Sequence, residues 1–268
     1  MRGLKILNGV LLSLLLFLMG AAIYITAQNV LIDGQLKEFM NREILETREV
    51  VENLGIRTKI TKYYKVAALD SELFRPLFEE GRTPYLGKKG DILITNQNPF
   101  AYDRNGDGRF DVDGPFMVGS LLSIVWGGHA VLVSEDDGSK IIHAVGSEIG
   151  LVNGELVKAV RIDSNRWHNL NGKIVGVRVK GATPDDIDEA VEQAKLTLGQ
   201  PFNYTLIIDR QNSKGCTDLV FQAYKKAGFT IDYDLGPASG NDLILSPNTY
   251  IYLYAYTDSS GVRHIYYS

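Results

Sequence analysis

From residue 6 to residue 30 the chain carries no charged side chain, and it is strongly apolar as far as Ala27. About 20 such residues suffice to cross the hydrocarbon core of a bilayer as a helix. A spanning segment must satisfy its own backbone hydrogen bonds, so this run is expected to be one helix. Arg2 and Lys5 precede it and Asp33 follows it. Positive charge on the N-terminal side keeps that end in the cytoplasm and sends the remainder across. Two outcomes fit. One is a retained anchor that crosses a bacterial cell membrane once, with the rest of the chain outside the cytoplasm. The other is a signal peptide cut near Thr26-Ala27-Gln28, which releases a secreted or periplasmic protein. The run is long for a secretory segment, and Ile25 is not a small residue, so the anchor is preferred. No cysteine follows the run, which excludes a lipoprotein.

The 268 residues are 45% hydrophobic and 22% charged. That supports one sizeable core with appendages. A formal net charge of -4 and the lack of a long basic run exclude nucleic acid as a partner. The single cysteine excludes an internal disulfide and any zinc site built on several cysteines. The expected division is an anchor or signal peptide over 1–30, a helical stalk or extension over 31–85, and a catalytic domain over 86–268. Within the stalk, Leu36, Met40, Ile44, Val51 and Leu54 predict a helix over 35–54 that Gly55 ends. Leu73, Leu77 and Phe78 predict a second helix over 58–80, which Pro76 weakens.

In the catalytic domain, strands are expected over 90–95, 129–135, 140–146, 156–162, 173–180, 250–256 and 262–267. Thr183-Pro184-Asp-Asp186 caps a helix whose buried face is Ile187, Ala190, Val191, Ala194 and Leu198. Tyr250, Tyr252, Tyr254 and Tyr256 are expected to alternate down one strand face.

Cys216 opens another helix, with Leu219, Val220, Ala223, Tyr224 and Ala227 at helical spacing and Gly228 as the stop. The free N–H groups and positive dipole end of a helix N-terminus favour thiolate over thiol. A thiolate nucleophile calls for a histidine base. His129 and His143 lie on two valine- and isoleucine-rich strands joined by the turn Asp136-Asp-Gly138-Ser. An odd-length turn puts both imidazoles on one face, with Cβ atoms about 5–8 Å apart. Gly127 and Gly128 leave room for a close approach by substrate. His168 and His264 read as structural or surface residues, and Asp218 as support for the first helical turn.

Asp103-Arg-Asn105-Gly-Asp107-Gly108-Arg-Phe-Asp111-Val-Asp113 places oxygen ligands at alternate positions before a glycine turn. That resembles the opening of a calcium loop. Asp103, Asn105, Asp107, Asp111, Asp113 and the carbonyl of Arg109 are the expected ligands of a structural calcium ion. Gly114 stands where an EF-hand has its last Glu. No cofactor is expected for catalysis.

Gly90-Asp-Ile-Leu, Gly128-His129-Ala-Val-Leu-Val, Ile-Ile-His143-Ala, Leu198-Gly-Gln-Pro-Phe-Asn-Tyr204 and Gly-Cys216-Thr-Asp-Leu-Val occur in this order. The set resembles the circularly permuted papain-like hydrolases of the YaeF/YiiX group, relatives of NlpC-type cell-wall amidases, over roughly 87–229. The resemblance implies an α+β, permuted papain-like fold whose antiparallel sheet packs against the nucleophile helix. It implies Cys216 as nucleophile, His129 as base and His143 as its orienter, with Glu148 in reserve. His143 stands where the family often has Glu, and Phe202 stands where it often has Tyr. Tyr204, the Cys216 N–H and the Gly128 region would then serve the oxyanion or the substrate. The expected activity is hydrolysis of an amide, with a peptidoglycan peptide as substrate. Three other readings remain. The first is a lipid or acyl-amide hydrolase or acyltransferase resembling lecithin retinol acyltransferase relatives. The second is zinc held by His129, His143 and Cys216, and the third a non-enzymatic, calcium-stabilised surface module.

Overall fold

The computed structural model describes residues 2–54, 57–69, 77, 85–96, 128–145, 151–152, 155–156, 159–170, 172–203, 212–234 and 238–268. The helix α1 (Arg2–Met40) contains a stretch long and apolar enough to cross a membrane. Leu11, Leu15, Phe17, Ile23 and Leu31 on it are exposed. From Gln28 onward one side turns inward, because Gln28, Ile32, Leu36 and Phe39 are buried. Their spacing of four, four and three puts them on one helical face. The same helix is thus apolar all round at first and amphipathic at its end.

After Met40 the predicted helix does not continue. The chain forms β1 (Ile44–Leu54) and returns antiparallel as β2 (Arg57–Val66). Thr47, Val50, Val51, Thr58, Ile60, Thr61, Tyr63 and Tyr64 are β-branched or aromatic, and they pack better on a pleated surface than on a helix. The helical spacing of Leu36, Met40 and Ile44 continues only as far as α1 itself. The second expected helix is likewise strand up to Val66, and most of 70–84 lies outside the described residues.

The remaining strands are β3 (Ile92–Thr95), β4 (His129–Val133), β5 (Lys140–Ala144), β6 (Leu151–Val152), β7 (Glu155–Leu156), β8 (Val160–Ser164), β9 (Ile174–Val179), β10 (Thr249–Thr257) and β11 (Arg263–Tyr267). Nine of them form one sheet in the order β1-β2-β11-β10-β9-β3-β4-β5-β8, while β6 and β7 pair separately. The β2–β11 ladder is parallel and the others are antiparallel. The N-terminal hairpin therefore extends the sheet through the C-terminal strand.

One face of the sheet presents Ile92, Ile94, Ala130, Leu132, Ile142, Val175 and Val177. It is covered by the end of α1 and by α2 (Pro184–Lys195), α3 (Cys216–Lys226) and α4 (Gly240–Leu245). The other face presents Leu93, Val131, Val133, Ile141, Ile174 and Tyr252, with Trp167 packed on it. The cap predicted for α2 forms: the Thr183 hydroxyl accepts from the Asp186 N–H at 3.3 Å, and the Thr183 N–H donates to Asp186 at 2.9 Å.

Two buried features explain motifs in the chain. Asp91 takes two bonds from Arg178, at 2.9 and 3.1 Å, and the guanidinium lies 4.0 Å over the Tyr252 ring. Removing one member of such a buried pair costs about 3–5 kcal/mol. The tyrosine stripe does not hold one face. A bulge between Ile251 and Leu253 sends Tyr250 and Tyr252 to the Trp167 side and leaves Tyr254 and Tyr256 on the helix side. Gly176 opposite the bulge has no room for a side chain, since a Cβ there would lie 2.7 Å from the Tyr252 ring.

Candidate active site

Cys216 is the first residue of α3, with Gly215 as N-cap in extended backbone. Leu219, Val220, Ala223 and Tyr224 are buried against the helix-side core. Each apolar side chain so buried contributes about 1.5–3 kcal/mol. Gly228 has φ of +93°, and its N–H reaches the Lys225 carbonyl while that of Phe229 reaches Tyr224 at 2.9 Å. These two bonds close the helix in the Schellman manner the glycine predicts. Upstream, Lys214 bonds to the Pro201 carbonyl and accepts from the Asn203 N–H, both at 3.1 Å. Gln200 in turn accepts from the Ala159 and Val160 N–H groups, so the segment before the cysteine is tied to β8. Asp218 sits 3.6 Å from the Lys214 ammonium, in keeping with a first-turn role.

The hairpin register makes β4 and β5 pair Leu132 with Ile142 and Val133 with Ile141. Both histidines then point to the same face, as an odd turn requires. His129 Nε2 and His143 Nδ1 are 3.0 Å apart. His143 Nε2 is 2.9 Å from Asp163 Oδ2, and Arg161 Nε donates to the same oxygen at 2.8 Å. Asp163 lies on β8, paired with β5. The hydrogen bond from His143 holds its carboxyl down at about 2. It is the residue that spacing missed, because it becomes a neighbour of His143 only once β8 pairs with β5. Glu148 lies outside the described residues.

The ionised Asp163 fixes the protons along this row. It accepts only, so His143 Nε2 carries a hydrogen. In neutral His143 the Nδ1 atom is then an acceptor, and His129 Nε2–H donates to it. The remaining atom, His129 Nδ1, is left as a bare lone pair. That atom is buried and has no hydrogen-bond partner among the described residues. Burial above all, with the Arg161 guanidinium adding to it, pushes the His129 pKa well below its ordinary value, so a proton added to this ring is disfavoured.

The thiol does not follow the prediction from the helix dipole. Cys216 is buried, and burial raises its pKa despite contacts to the backbone N–H groups of Ala130, Thr217 and Cys216 itself. The magnitudes decide the sign. A helix terminus is worth about 0.3–1 kcal/mol to a charge, and up to about 2. One pKa unit is about 1.4 kcal/mol. Full burial shifts a group by up to about 3–5 units.

The sulfur and the imidazole approach the strand from opposite faces of the sheet. His129 shares its face with Val131 and Val133 and lies 6.1 Å from the Trp167 ring. The body of α3 packs on the opposite face, against Ala130 and Leu132. Only the tip of α3 reaches the strand, where the Ala130 N–H, one peptide beyond His129, works against the rise that burial causes in the Cys216 pKa. The expected thiol–imidazole hydrogen bond is absent: His129 Nδ1 has no partner among the described residues.

Gly128 lies just before β4, and a Cβ on it would fall 1.7 Å from the Thr95 carbonyl oxygen. Its glycine is required by the approach of β4 to β3. Tyr204 lies outside the described residues, as do all the expected calcium ligands, Asp103, Asn105, Asp107, Arg109, Asp111 and Asp113. His129, His143 and Cys216 do not form a convergent zinc set. Among the described residues, the acidic or sulfur- and imidazole-bearing group whose ligand atoms all lie within 4.8 Å is Asp232, Asp234 and Asp242. That group faces α1. Tyr24 bonds to Asp234, and Gln28 donates to Asp242 at 2.9 Å.

No family model matches the chain, and no curated protein matches its sequence. Among solved structures it is similar to the crystal structure of metalloprotein YiiX from Escherichia coli O157:H7. The TM-score is 0.42 at 13% identity, over 61% of this chain and 95% of that one.

Proposed function

We propose that this chain is a membrane-anchored cysteine hydrolase, of permuted papain-like architecture, that cleaves an amide bond outside the cytoplasm. The observation that carries the proposal is the buried Nδ1 of His129, which has no hydrogen-bond partner among the described residues and belongs to the residue next to Ala130, whose N–H Cys216 approaches. A buried nitrogen without a partner is costly in a core, and a catalytic role is one explanation for keeping it. Here Asp163 and His143 hold the ring in the tautomer that accepts a proton.

In the reaction, the Cys216 thiol gives its proton to His129 Nδ1 as sulfur attacks the carbonyl carbon. The contact closes as substrate fills the site, which is the usual behaviour of catalytic hydrogen bonds that are long in the free enzyme. The new oxyanion faces the N–H groups of the first turn of α3, where loss of one donor costs about 3 kcal/mol. The C–N bond then breaks and the amine leaves with the proton from His129. Water, deprotonated by His129, cleaves the thioester and restores the thiol.

The anchor reading is supported by α1 running unbroken through Thr26-Ala27-Gln28, with Gln28 already buried against the body. Cell-wall peptides and acyl amides both offer an amide at this location. The full chain, purified in detergent, is to be incubated with both, and products identified by mass. Release of an amine that Cys216→Ala abolishes supports the proposal; undiminished release by that variant overturns it.

A further inference from the structure

Among the described residues two arginines are buried, Arg178 at 4% exposure and Arg263 at 3%. Their guanidinium groups are satisfied differently. Arg178 Nε and Nη2 donate to the two carboxylate oxygens of Asp91, at 2.9 and 3.1 Å. These two nitrogens form one edge of the planar fork, an edge that fits a carboxylate side-on with two parallel bonds. In Arg263 the third nitrogen, Nη1, donates to the Gly172 carbonyl at 2.6 Å and to the Thr257 hydroxyl at 3.3 Å. Its Nε and Nη2 are buried and have no hydrogen-bond partner among the described residues. The edge that holds Asp91 in one arginine is thus the edge left without an acceptor in the other.

The surroundings do not neutralise Arg263. Burial lowers its pKa to about 10, so it is still charged at neutral pH. Among the described residues, the groups that act against this shift are Tyr254 and Tyr63 rather than a carboxylate. A buried cation needs a counter-charge or a full set of acceptors. Arg263 opens β11, opposite Thr257 of β10 and Thr61 of β2. It lies on the Trp167 side of the sheet with Ile265, two residues on. Thr61 is buried, but Lys59, two residues earlier on the same face, reaches the surface. Its ammonium meets Asn169 at 3.1 Å and Glu52 at 3.7 Å. The Lys59–Asn169 bond is exposed and ties β2 to the segment that leads to Gly172. The Arg263 fork therefore lies below a bridge of two polar side chains, one of them a second cation.

We propose that the Nε–Nη2 edge of Arg263 is a binding site for a carboxylate that another molecule supplies. The ligand is held side-on, as Asp91 is held by Arg178. Strands β2, β10 and β11 and the segment before β9 all border this site, so the ligand fastens the N-terminal hairpin to the rest of the sheet. The site is independent of the hydrolase reading.

The test uses full-length protein in detergent, with nitrogen-15 in its arginines. Formate is titrated against chloride at constant ionic strength. One Nε–H resonance, assigned through bonds to the Arg263 backbone, should shift and saturate. Arg263→Lys keeps the charge and loses the fork, and should weaken formate binding at least tenfold. Arg166→Gln, at an exposed position, should change it less than twofold. At a hundred times its Kd, formate should raise the melting temperature of the wild type by about 5 °C and leave that of Arg263→Lys unchanged. Should Arg263→Lys fail to fold, the assigned wild-type resonance decides alone. An acetylated tripeptide amide with a central glutamate is run beside formate. Tighter binding of that peptide, lost in its glutamine counterpart, assigns the carboxylate to an acidic side chain, and a response to formate alone assigns it to a small free acid. An Arg263 resonance that answers to no carboxylate, a response carried by another arginine, or chloride or phosphate as effective as formate overturns the proposal.

Discussion

Two histidine–aspartate pairs in this protein have the same length and opposite contexts. His143 Nε2 and Asp163 are 2.9 Å apart, as are His264 Nε2 and Asp258. The second ring nitrogen of His264 meets the Tyr64 hydroxyl at 3.2 Å, and its ring stacks with Tyr256 at 5.0 Å and Tyr64 at 5.9 Å. Asp258 also accepts from Ser260 and Val262, so that pair closes the turn between β10 and β11. The second nitrogen of His143 meets another imidazole, and that imidazole ends in a buried lone pair. A carboxylate behind a histidine is thus no sign of catalysis by itself. What matters is whether the row of bonds ends on a partner or on an unfilled acceptor.

The sharpest way to break this contrast is to remove each imidazole. His129→Ala should lower hydrolysis about 10²–10⁴-fold, the range for a general acid–base group, while His264→Ala should stay within about twofold on the same assay. Equal losses would end the distinction. Replacing the carboxylates should give a smaller difference. Asp163→Asn should cost about 10- to 100-fold in kcat with little change in KM, since about 1.5–3 kcal/mol attends a hydrogen bond to a charged group. Asp258→Asn should leave both constants alone and lower the melting temperature.

Alkylation by iodoacetamide should show a resting thiol rather than an ion pair. The rate at Cys216 should keep rising above the pH at which an ordinary thiol is half ionised, because burial raises its pKa. A rate already flat near pH 6 would mean that imidazolium and thiolate coexist. The smallest effect concerns acid stability. The pKa of Asp163 falls on folding from 3.8 to about 2. Its contribution is present above about pH 4 and disappears as pH falls through 2. The side chain is 40% exposed, so solvent screens the gain. Urea midpoints measured from pH 5 to pH 2 should fall slightly less steeply in Asp163→Asn than in wild type.

The sequence reveals the core of the site better than its rim. Alternation along β4 and β5 put His129 and His143 on one face only for a turn of odd length, which the register supplies, and helical spacing placed Cys216 at or just before the first turn of α3. Neither signal says which face α3 covers, because that depends on how β3 and β9 pair. Asp163 was invisible for the same reason: it reaches His143 across a ladder between segments 20 residues apart. The N-terminal hairpin failed differently. Its few large apolar residues fit a helical period by chance, while its β-branched and aromatic content, the better guide here, pointed to strand. The thiol failed on magnitude, since a helix end was weighed without the burial that accompanies it.

No hinge separates the part of α1 with exposed leucines from the part packed on β10. If the first part sits in a bilayer, the body is bolted to it rather than tethered, with the mouth of the site at a constant height above the lipid. A body held in this way meets other molecules of the same membrane by lateral diffusion in two dimensions, so its encounters follow their surface density and not their amount in the surrounding volume.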